Sequence, residues 1–369
     1  MTADVHFGVI GCGYWGPNHI RNLSALRGSG AVMAMAADRD HARRDRVQQL
    51  FPYVEVVSEA DDIIGNPDID AVVIATPVGT HYPLARQALH AGKHILVEKP
   101  FVTCSEQATE LIQMAAERDL RVMVGHTFEY TAAVNRIRDL VQAGELGDVL
   151  YVRSLRVNLG LFQTDVNVLW DLAPHDLSIL RYVLNRPVQA VSALGNANVT
   201  EGIEDVVNMN VEFDGNIMCN VIVSWLDPKK VREMTIVGDQ KMLVFDDVST
   251  TEKIRIFDKG VAGPRDYDSF GDFQYSYRYG DIVTPFLDEH EPLREEAGHF
   301  LASIQNRTSP RSDGASGLAV VRVLEAAQQS LENQGARVEL DPEVIDLTAV
   351  EAAGGIAGAD NAGNMVEIP

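Results

Sequence analysis

The sequence predicts two domains of different texture. An α/β amino-terminal domain holds a parallel, helix-covered sheet, and an α+β carboxyl-terminal domain holds a large, predominantly antiparallel open sheet. Three observations predict this. A short apolar run, Val5 to Ile10, leads through Gly11, Gly13 and Gly16 into a helical pattern. Strand-like and helical runs then alternate as far as residue 125, which is the signature of a parallel sheet covered by helices. Beyond a helix at about 132–143 the runs become long, strand-like and separated by turns such as "FDGN" and "VGDQ". At 369 residues the chain also exceeds the roughly 250–300 at which single cores stop growing.

Val5 to Ile10 reads as a buried strand, and Trp15, Ile20, Leu23 and Leu26 recur near helical spacing. Pro17 lacks an amide donor and fits only the first turn of that helix. Between the two, Gly11 permits a tight turn, Gly13 lets a pyrophosphate approach the backbone, and Gly16 lets the helix pack on the strand. Free amides at the helix start face the phosphates. A second strand, Ala31 to Ala37, ends in Asp38, 22 residues after Gly16, where a carboxylate accepts hydrogen bonds from a ribose 2′-OH. This is the dinucleotide-binding Rossmann pattern, with Tyr14, Trp15 and Arg39 as its flanking cofactor-binding residues. Asp38 repels a 2′-phosphate and favours NAD, whereas Arg39, Arg43 and Arg44 are the groups that would accommodate NADP.

The alternation continues with "AVVIAT" from Ala71, a helix over 81–91, "HILVE" from His94, a helix over 105–118 and "RVMVG" from Arg121. Ala75 closes a parallel strand at its carboxyl end, where open α/β sheets place ligands, so Thr76, Pro77, Thr80 and His81 are cofactor-rim residues. The alternative is an ordinary loop in which Thr80 caps the next helix. Glu98, Lys99 and Pro100 end the following strand. The proline biases Lys99 toward extended dihedrals and projects its side chain from the strand end, and the bond between them admits a cis form.

The second domain carries strand-like runs over 149–157, 188–193, 206–213, 217–225, 232–237, 242–245 and 253–257. Helices are expected over 174–184, 292–305 and 314–332. In "NVLWDLAPHDLSIL", Asp171 and His175 share one face if Asp171 opens the helix. A carboxylate that orients an imidazole suits general acid/base work, since histidine titrates near ~6.5. The alternatives are a capping Asp171 beside a structural His175, or two metal ligands; no third ligand has motif spacing, and no metal is expected. Arg156, Asn158 and Gln163 precede that helix and are expected to line a substrate pocket, with a strand-edge charge as the other account of Arg156. Lys229, Lys230 and Arg232 form the compact basic cluster of this domain, suited to a diphosphate or to an exposed turn.

Composition narrows the function classes. With 31 Lys plus Arg against 53 Asp plus Glu the formal charge is −22, which disfavours nonspecific attraction to nucleic acid or an anionic membrane. Cys12, Cys104 and Cys219 are scattered singly, without a disulfide framework or zinc spacing. No apolar run approaches the ~20 residues of a membrane span and no basic leader precedes the first strand, so a soluble, cytoplasmic protein is expected.

Taken together, "GVIGCGYWGPNH", "ATPVGTHYPLARQALHAGKHILVEKPF" and "WDLAPHDLSIL" resemble the Gfo/Idh/MocA family of glucose-fructose oxidoreductase and inositol dehydrogenase, to about residue 345. The resemblance implies a Rossmann domain and a carboxyl-terminal sheet that often forms the interface of a homodimer or homotetramer. It places the family's catalytic lysine on Lys99, and its aspartate and histidine on Asp171 and His175. It implies hydride transfer between nicotinamide and a sugar carbinol carbon. His175 would exchange the hydroxyl proton, Lys99 would bond the reacting oxygen, and Asp171 would orient His175 or the substrate. The phrasing around 160–180 looks like the subgroup that works at C3 of nucleotide-linked hexoses. A free cyclitol or sugar dehydrogenase, an NAD-dependent glycosidase and a non-catalytic dinucleotide sensor are the rival readings; Lys99 and His175 are the residues a sensor would lack. The expected domains are 1–125, 126–345 and a flexible tail over 346–369.

Overall fold

The computed structural model describes residues 4–262, 276–288 and 290–341. The tail expected over 346–369 lies outside them.

In the first unit strands and helices alternate as expected: β1 (Val5–Ile10), α1 (Gly16–Ala25), β2 (Ala31–Ala37), α2 (His41–Leu50), β3 (Glu55–Val57), α3 (Ala60–Ile64), β4 (Ala71–Ile74), α4 (His81–His90), β5 (His94–Val97), α5 (Ser105–Glu117) and β6 (Val122–Val124). The six strands pair in the order β3-β2-β1-β4-β5-β6, and every pairing is parallel. The strand order reverses between β1 and β4, and there the carboxyl ends leave a crevice for a ligand. The run α2–β3–α3 was not anticipated. Of α2 only Val47 is buried, so no apolar stripe announces it; Asp40 starts it, its Oδ1 accepting the amides of Ala42 and Arg43.

The second unit contains α6 (Ala132–Gln142), β7 (Val149–Leu159), α7 (Val168–Leu184), β8 (Val188–Asn196), β9 (Val206–Phe213), β10 (Ile217–Ser224), β11 (Leu226–Gly238), β12 (Met242–Asp246), β13 (Ile254–Ala262) and β14 (Ser276–Val283). The chain then continues through α8 (Pro292–Asn306), α9 (Gly314–Glu332) and β15 (Val338–Glu339). Nine strands form one open sheet in the order β14-β13-β12-β11-β7-β10-β9-β8-β15, antiparallel except where β10 meets β7. Ile217, Cys219, Val221 and Val223 of β10 alternate toward the buried face, where α7 packs with Leu169, Ala173, Leu177 and Leu180. Leu150, Tyr151, Leu194 and Met218 are exposed apolar residues of the same sheet.

The domain boundary differs from the sequence expectation. Residues 290–322 cluster with 4–130, while 323–341 cluster with 131–288, so the first unit is discontinuous in sequence. Helix α8 explains why. Phe300 packs its ring 6.1 Å from that of Phe7 on β1, within a core that includes Val9, Ile20, Leu23 and Met123. Arg21 and Asn22 of α1 both donate to the Glu291 carboxylate at the start of α8. An amphipathic helix shows in sequence that it has an apolar face, but not which core that face will join.

Candidate active site

The cradle is built by close approach. Gly11 has φ +95, and a Cβ on it would lie 2.5 Å from the carbonyl oxygen of Ala75; a Cβ on Gly16 would lie 2.0 Å from that of Gly11. Both glycines are therefore required by the protein itself. Gly13 is different: its nearest neighbour would be Arg43 Nη1 at 3.7 Å, so the protein leaves room there for a side chain. A glycine that the fold does not demand, in the turn between β1 and α1, fits a pyrophosphate that approaches the backbone closely. Tyr14 is 80% exposed beside it, and Trp15 stacks edge-on against Tyr14 at 5.2 Å.

Asp38 stands at the end of β2 and does two things. Its Oδ2 accepts the amide of Cys12 at 2.7 Å and its Oδ1 the amide of Asp40 at 2.9 Å, which pins the glycine turn to β2. A carboxylate has about four acceptor sites, so capacity remains for ribose hydroxyls. The nearby arginines differ in availability. Arg44 donates to the carbonyls of Asp38 and Arg39, Arg43 lies 3.6 Å from Asp38, and Arg39 is exposed with Glu59 at 3.6 Å. Burial and the Asp38 charge push the Cys12 thiol up to about 12, so it is not a nucleophile.

Lys99 follows β5 and is held through its backbone. The Lys99–Pro100 bond is cis. The Lys99 amide donates to Glu98 Oε2 at 3.2 Å, and the other oxygen of Glu98 lies 2.9 Å from Nε2 of His19 on α1. His19 and Glu98 are both buried. Burial by itself would raise the Glu98 pKa, but the His19 hydrogen bond and the charges of His19 and Lys99 hold the carboxyl below its ordinary range. It is ionised, so Nε2 of His19 carries the proton of that bond.

His81 is 1% exposed; its Nδ1 lies 2.9 Å from the Pro100 carbonyl and its Nε2 2.8 Å from that of Thr76. Burial lowers the pKa of this ring. In its neutral form one nitrogen donates to one of these carbonyls while the other nitrogen lies against the second, and the ring packs between two loops of the ligand edge. As a cofactor-rim residue it is thus corrected to a clamp. Thr80 does not cap α4 with its side chain; its hydroxyl lies 2.7 Å from both Thr76 Oγ1 and the Pro77 carbonyl.

A third carboxyl lies near Glu98. Glu296 of α8 is fully buried, accepts the Thr127 hydroxyl at 3.1 Å through Oε2, and has no hydrogen-bond partner at Oε1. Burial, then the charges of Glu98 and Glu129, raise its pKa well above the ordinary carboxylate value.

In the second unit α7 opens earlier than expected, at Val168, with Asn167 capping through Oδ1 to the Trp170 amide. Asp171 is therefore in the first turn rather than at the cap, and Pro174 lies inside the helix without the amide that would bond the Trp170 carbonyl. Asp171 and His175 remain four apart on this helix. The Asp171 carboxylate accepts the indole N–H of Trp225 at 3.1 Å. Trp225 is buried, packs 5.4 Å from Phe162, and leaves no space for a Cβ on Gly160.

Arg156 is a correction. It is 4% exposed, and its Nε and Nη2 donate to Asp176 at 2.6 and 3.2 Å, while Ser154 donates to the same carboxylate at 2.8 Å. It is not a strand-edge charge but half of a buried pair between β7 and α7. Asn158 and Gln163 are half-buried, the latter donating to the Leu161 carbonyl at 3.3 Å. Lys229 and Lys230 are exposed on β11, and Arg232 pairs with Asp247 at 3.2 Å. The basic cluster thus lies in a strand whose register shifts between Leu226 and Val231, not in a free turn.

Residues that the sequence reading did not single out are His19, Trp225 and Glu296. Two of the three carried a signal. His19 falls among Gly16, Ile20 and Leu23 on the buried face of α1, and Glu296 among Leu293, Ala297 and Phe300 on that of α8. A polar side chain inside an apolar stripe marks a buried partner.

Comparison with known proteins decides the family. Residues 5–126 match the Gfo/Idh/MocA oxidoreductases with their NAD-binding Rossmann fold, and residues 134–244 match a carboxyl-terminal domain of the same family. The chain belongs to the Gfo/Idh/MocA family. It is 29% identical over 332 residues to UDP-N-acetylglucosamine 3-dehydrogenase of Acidithiobacillus ferrooxidans, covering 87% of this chain and 95% of that one. It is 29% identical over 233 residues to inositol 2-dehydrogenase of Corynebacterium glutamicum, covering 59% and 69%. A crystal form of the Acidithiobacillus enzyme superimposes with a TM-score of 0.73 at 26% identity, over 90% of this chain and 99% of that one. This family member is accordingly an NAD-dependent oxidoreductase acting on CH–OH groups. Its fold is the one read from sequence. Among the described residues, no helix is long and apolar enough to cross a membrane.

The two features that test the site's physics are Gly13 and Glu296. Gly13→Ala leaves Tm unchanged, because space exists for the methyl, yet weakens NADH binding in a fluorescence titration; equal affinity would show that no phosphate approaches there. Glu296 has a raised folded-state pKa, so its contribution to stability is complete below the unfolded value of 4.5 and is lost as pH rises toward the folded value. Glu296→Gln therefore raises Tm at about pH 8 and has little effect at about pH 4, by calorimetry. A uniform shift at both values would contradict the buried neutral acid.

Proposed function

We propose that this enzyme interconverts a nucleotide-linked hexose and its 3-keto form, with NAD(H) preferred, in the cytoplasm. The observation that carries the reading is the extent of similarity to UDP-N-acetylglucosamine 3-dehydrogenase, which spans 87% of this chain and 95% of that protein. The likeness to inositol 2-dehydrogenase has the same identity but spans only 59% of this chain.

NAD, when bound, supplies the hydride acceptor at nicotinamide C4. Gly11, Gly13, Gly16 and the amides that open α1 hold its phosphates, Asp38 takes the adenosine ribose, and Thr76, Pro77 and Glu98 edge the crevice. Tyr14, Trp15 and Arg39 flank the cradle. Lys99 donates to the carbinol oxygen and stabilises the negative charge that grows there. His175 receives the hydroxyl proton, and Asp171, its orientation set by the Trp225 indole, supplies the carboxylate one helical turn away. Asn158 and Gln163 supply neutral hydrogen-bonding groups for sugar hydroxyls. Asp38, pinned by two amides, presents charge where NADP carries a phosphate, and Arg44 is occupied by carbonyls, which together favour NAD.

One observation favours a second reading, a dehydrogenase of a free cyclitol or sugar. Arg156 is committed to Asp176, so a diphosphate must be held by others, such as Lys229 and Lys230. With a chain charge of −22, long-range attraction does not help, since screening acts within ~8 Å.

The deciding experiment measures kcat/KM for nucleotide hexoses, free hexoses and cyclitols with NAD(H) and NADP(H), on the wild type, Lys99→Met and His175→Ala. Nucleotide hexoses with NAD(H) give the highest value, Lys99→Met abolishes turnover, and His175→Ala costs about 10²- to 10⁴-fold. Higher values for free cyclitols replace the substrate assignment, and near-normal kcat in both variants removes the catalytic one. Release of free sugar from a glycoside would make it an NAD-dependent glycosidase.

The exposed apolar residues Leu150, Tyr151, Leu194 and Met218 are the contact of a homodimer or homotetramer through the open sheet. Light scattering then gives two or four chain masses, each chain being 40.5 kDa. A single chain mass at micromolar concentration would remove this assembly.

A further inference from the structure

Lys99 reaches its substrate as a flexible side chain, so its placement depends on how firmly its backbone is fixed. Three observations converge on that backbone. Its amide is bonded to Glu98 Oε2, and Glu98 packs so closely on Gly125 that a Cβ there would lie 3.2 Å from the same oxygen. Glu98 is a buried anion whose other oxygen is bonded, at 2.9 Å, to a side chain from a different element. That side chain, His19, is 1% exposed and sits one turn into the helix whose first residue is Gly16 of the cradle. A buried carboxylate costs several kcal/mol to leave unpaired, so His19 is the group that makes an ionised Glu98 tolerable at this place.

We propose that His19 is a positioning residue for Lys99: through Glu98 it fixes the lysine's backbone amide and ties the reacting end of the site to the helix that opens the dinucleotide cradle. The proposal rests on the catalytic reading of Lys99. His19 touches neither the substrate nor the reacting atoms. Its action is to keep Glu98 charged and oriented so that the peptide before Lys99 does not rotate. Loss of the pair lets the ammonium wander by a fraction of an ångström to an ångström, which is enough to lower kcat steeply.

The test separates reach from polarity. Glutamine at position 19 places an amide N–H where Nε2 stands and still meets Glu98, whereas asparagine places its amide where Nδ1 stands and does not. His19→Gln therefore keeps kcat within about threefold of wild type, and His19→Asn loses about 100-fold. In both variants the Kd for NADH, read by fluorescence without turnover, stays within about threefold, because the glycine turn and Asp38 are untouched. Equal kcat in the glutamine and asparagine variants overturns the proposal, and so does a loss confined to Kd and KM with kcat intact. Where asparagine prevents folding, Glu98→Gln, which keeps shape and removes the charge, gives the same expected loss of kcat. A wild-type kcat there is equally fatal. Lys99→Met is run alongside: if it retains turnover, the reading of Lys99 fails, whereas an inactive Lys99→Met beside a fully active His19→Asn removes only the role of His19.

Discussion

Helix α1 starts as close to the end of β1 as two backbones allow, because Gly16 has no side chain to hold it off the Gly11 carbonyl. Gly11 in turn has none to hold the turn off the backbone of Ala75 after β4. Everything chemical in the first unit is referred to that helix. Its preceding turn is pinned by Asp38, its buried face carries His19 to Glu98, and its Arg21 and Asn22 receive Glu291 from α8. A methyl group at Gly16 would push the helix off the Gly11 carbonyl, and would displace the phosphate cradle, the anchor of Lys99 and the packing of α8 together.

The second unit organises its candidate groups differently. There the reference is a buried ion pair, Arg156 to Asp176, flanked by Ser154, which locks α7 in register on β7. Such a pair adds little net stability over an apolar substitute, but removing one partner costs about 3–5 kcal/mol. What it contributes is register, since His175 precedes Asp176 and moves with it. Trp225 does the same for Asp171 from the far end of β10.

The parts of the fold that were legible in sequence are those in which local pattern and global role coincide. The run from Val5 through Gly16 to Asp38 reads correctly because a strand, a turn and a helix each impose their own periodicity and close backbone packing imposes Gly11 and Gly16. The position of Lys99 reads correctly because a proline follows a four-residue strand. Illegible were the features that depend on partners distant in sequence. Arg156 is twenty residues from Asp176, and nothing local distinguishes a buried guanidinium from a strand-edge one. His81 was read as facing a ligand because it opens a helix at the correct edge, yet the carbonyls of Thr76 and Pro100 claim its ring. His19 and Glu296 were legible in principle, as polar breaks in apolar stripes, and the apolar residues around them drew the reading instead. The helix start at Asn167 was hidden by Pro174, which normally marks a first turn and here sits in the second.

The discontinuity of the first unit has a consequence for how the protein is born. Phe7 emerges from the ribosome well before Phe300, which packs against it and lies 293 residues further along the chain. At about 5–20 residues per second the interval between them is on the order of fifteen to sixty seconds. Throughout it, the face of the nascent sheet that α8 will cover stands open while residues 131–288 of the second unit are being made. Strands β7 to β14 can then pair before α8 seals the first unit, so the hydrophobic face beneath β1 is covered only after most of the second sheet has been made.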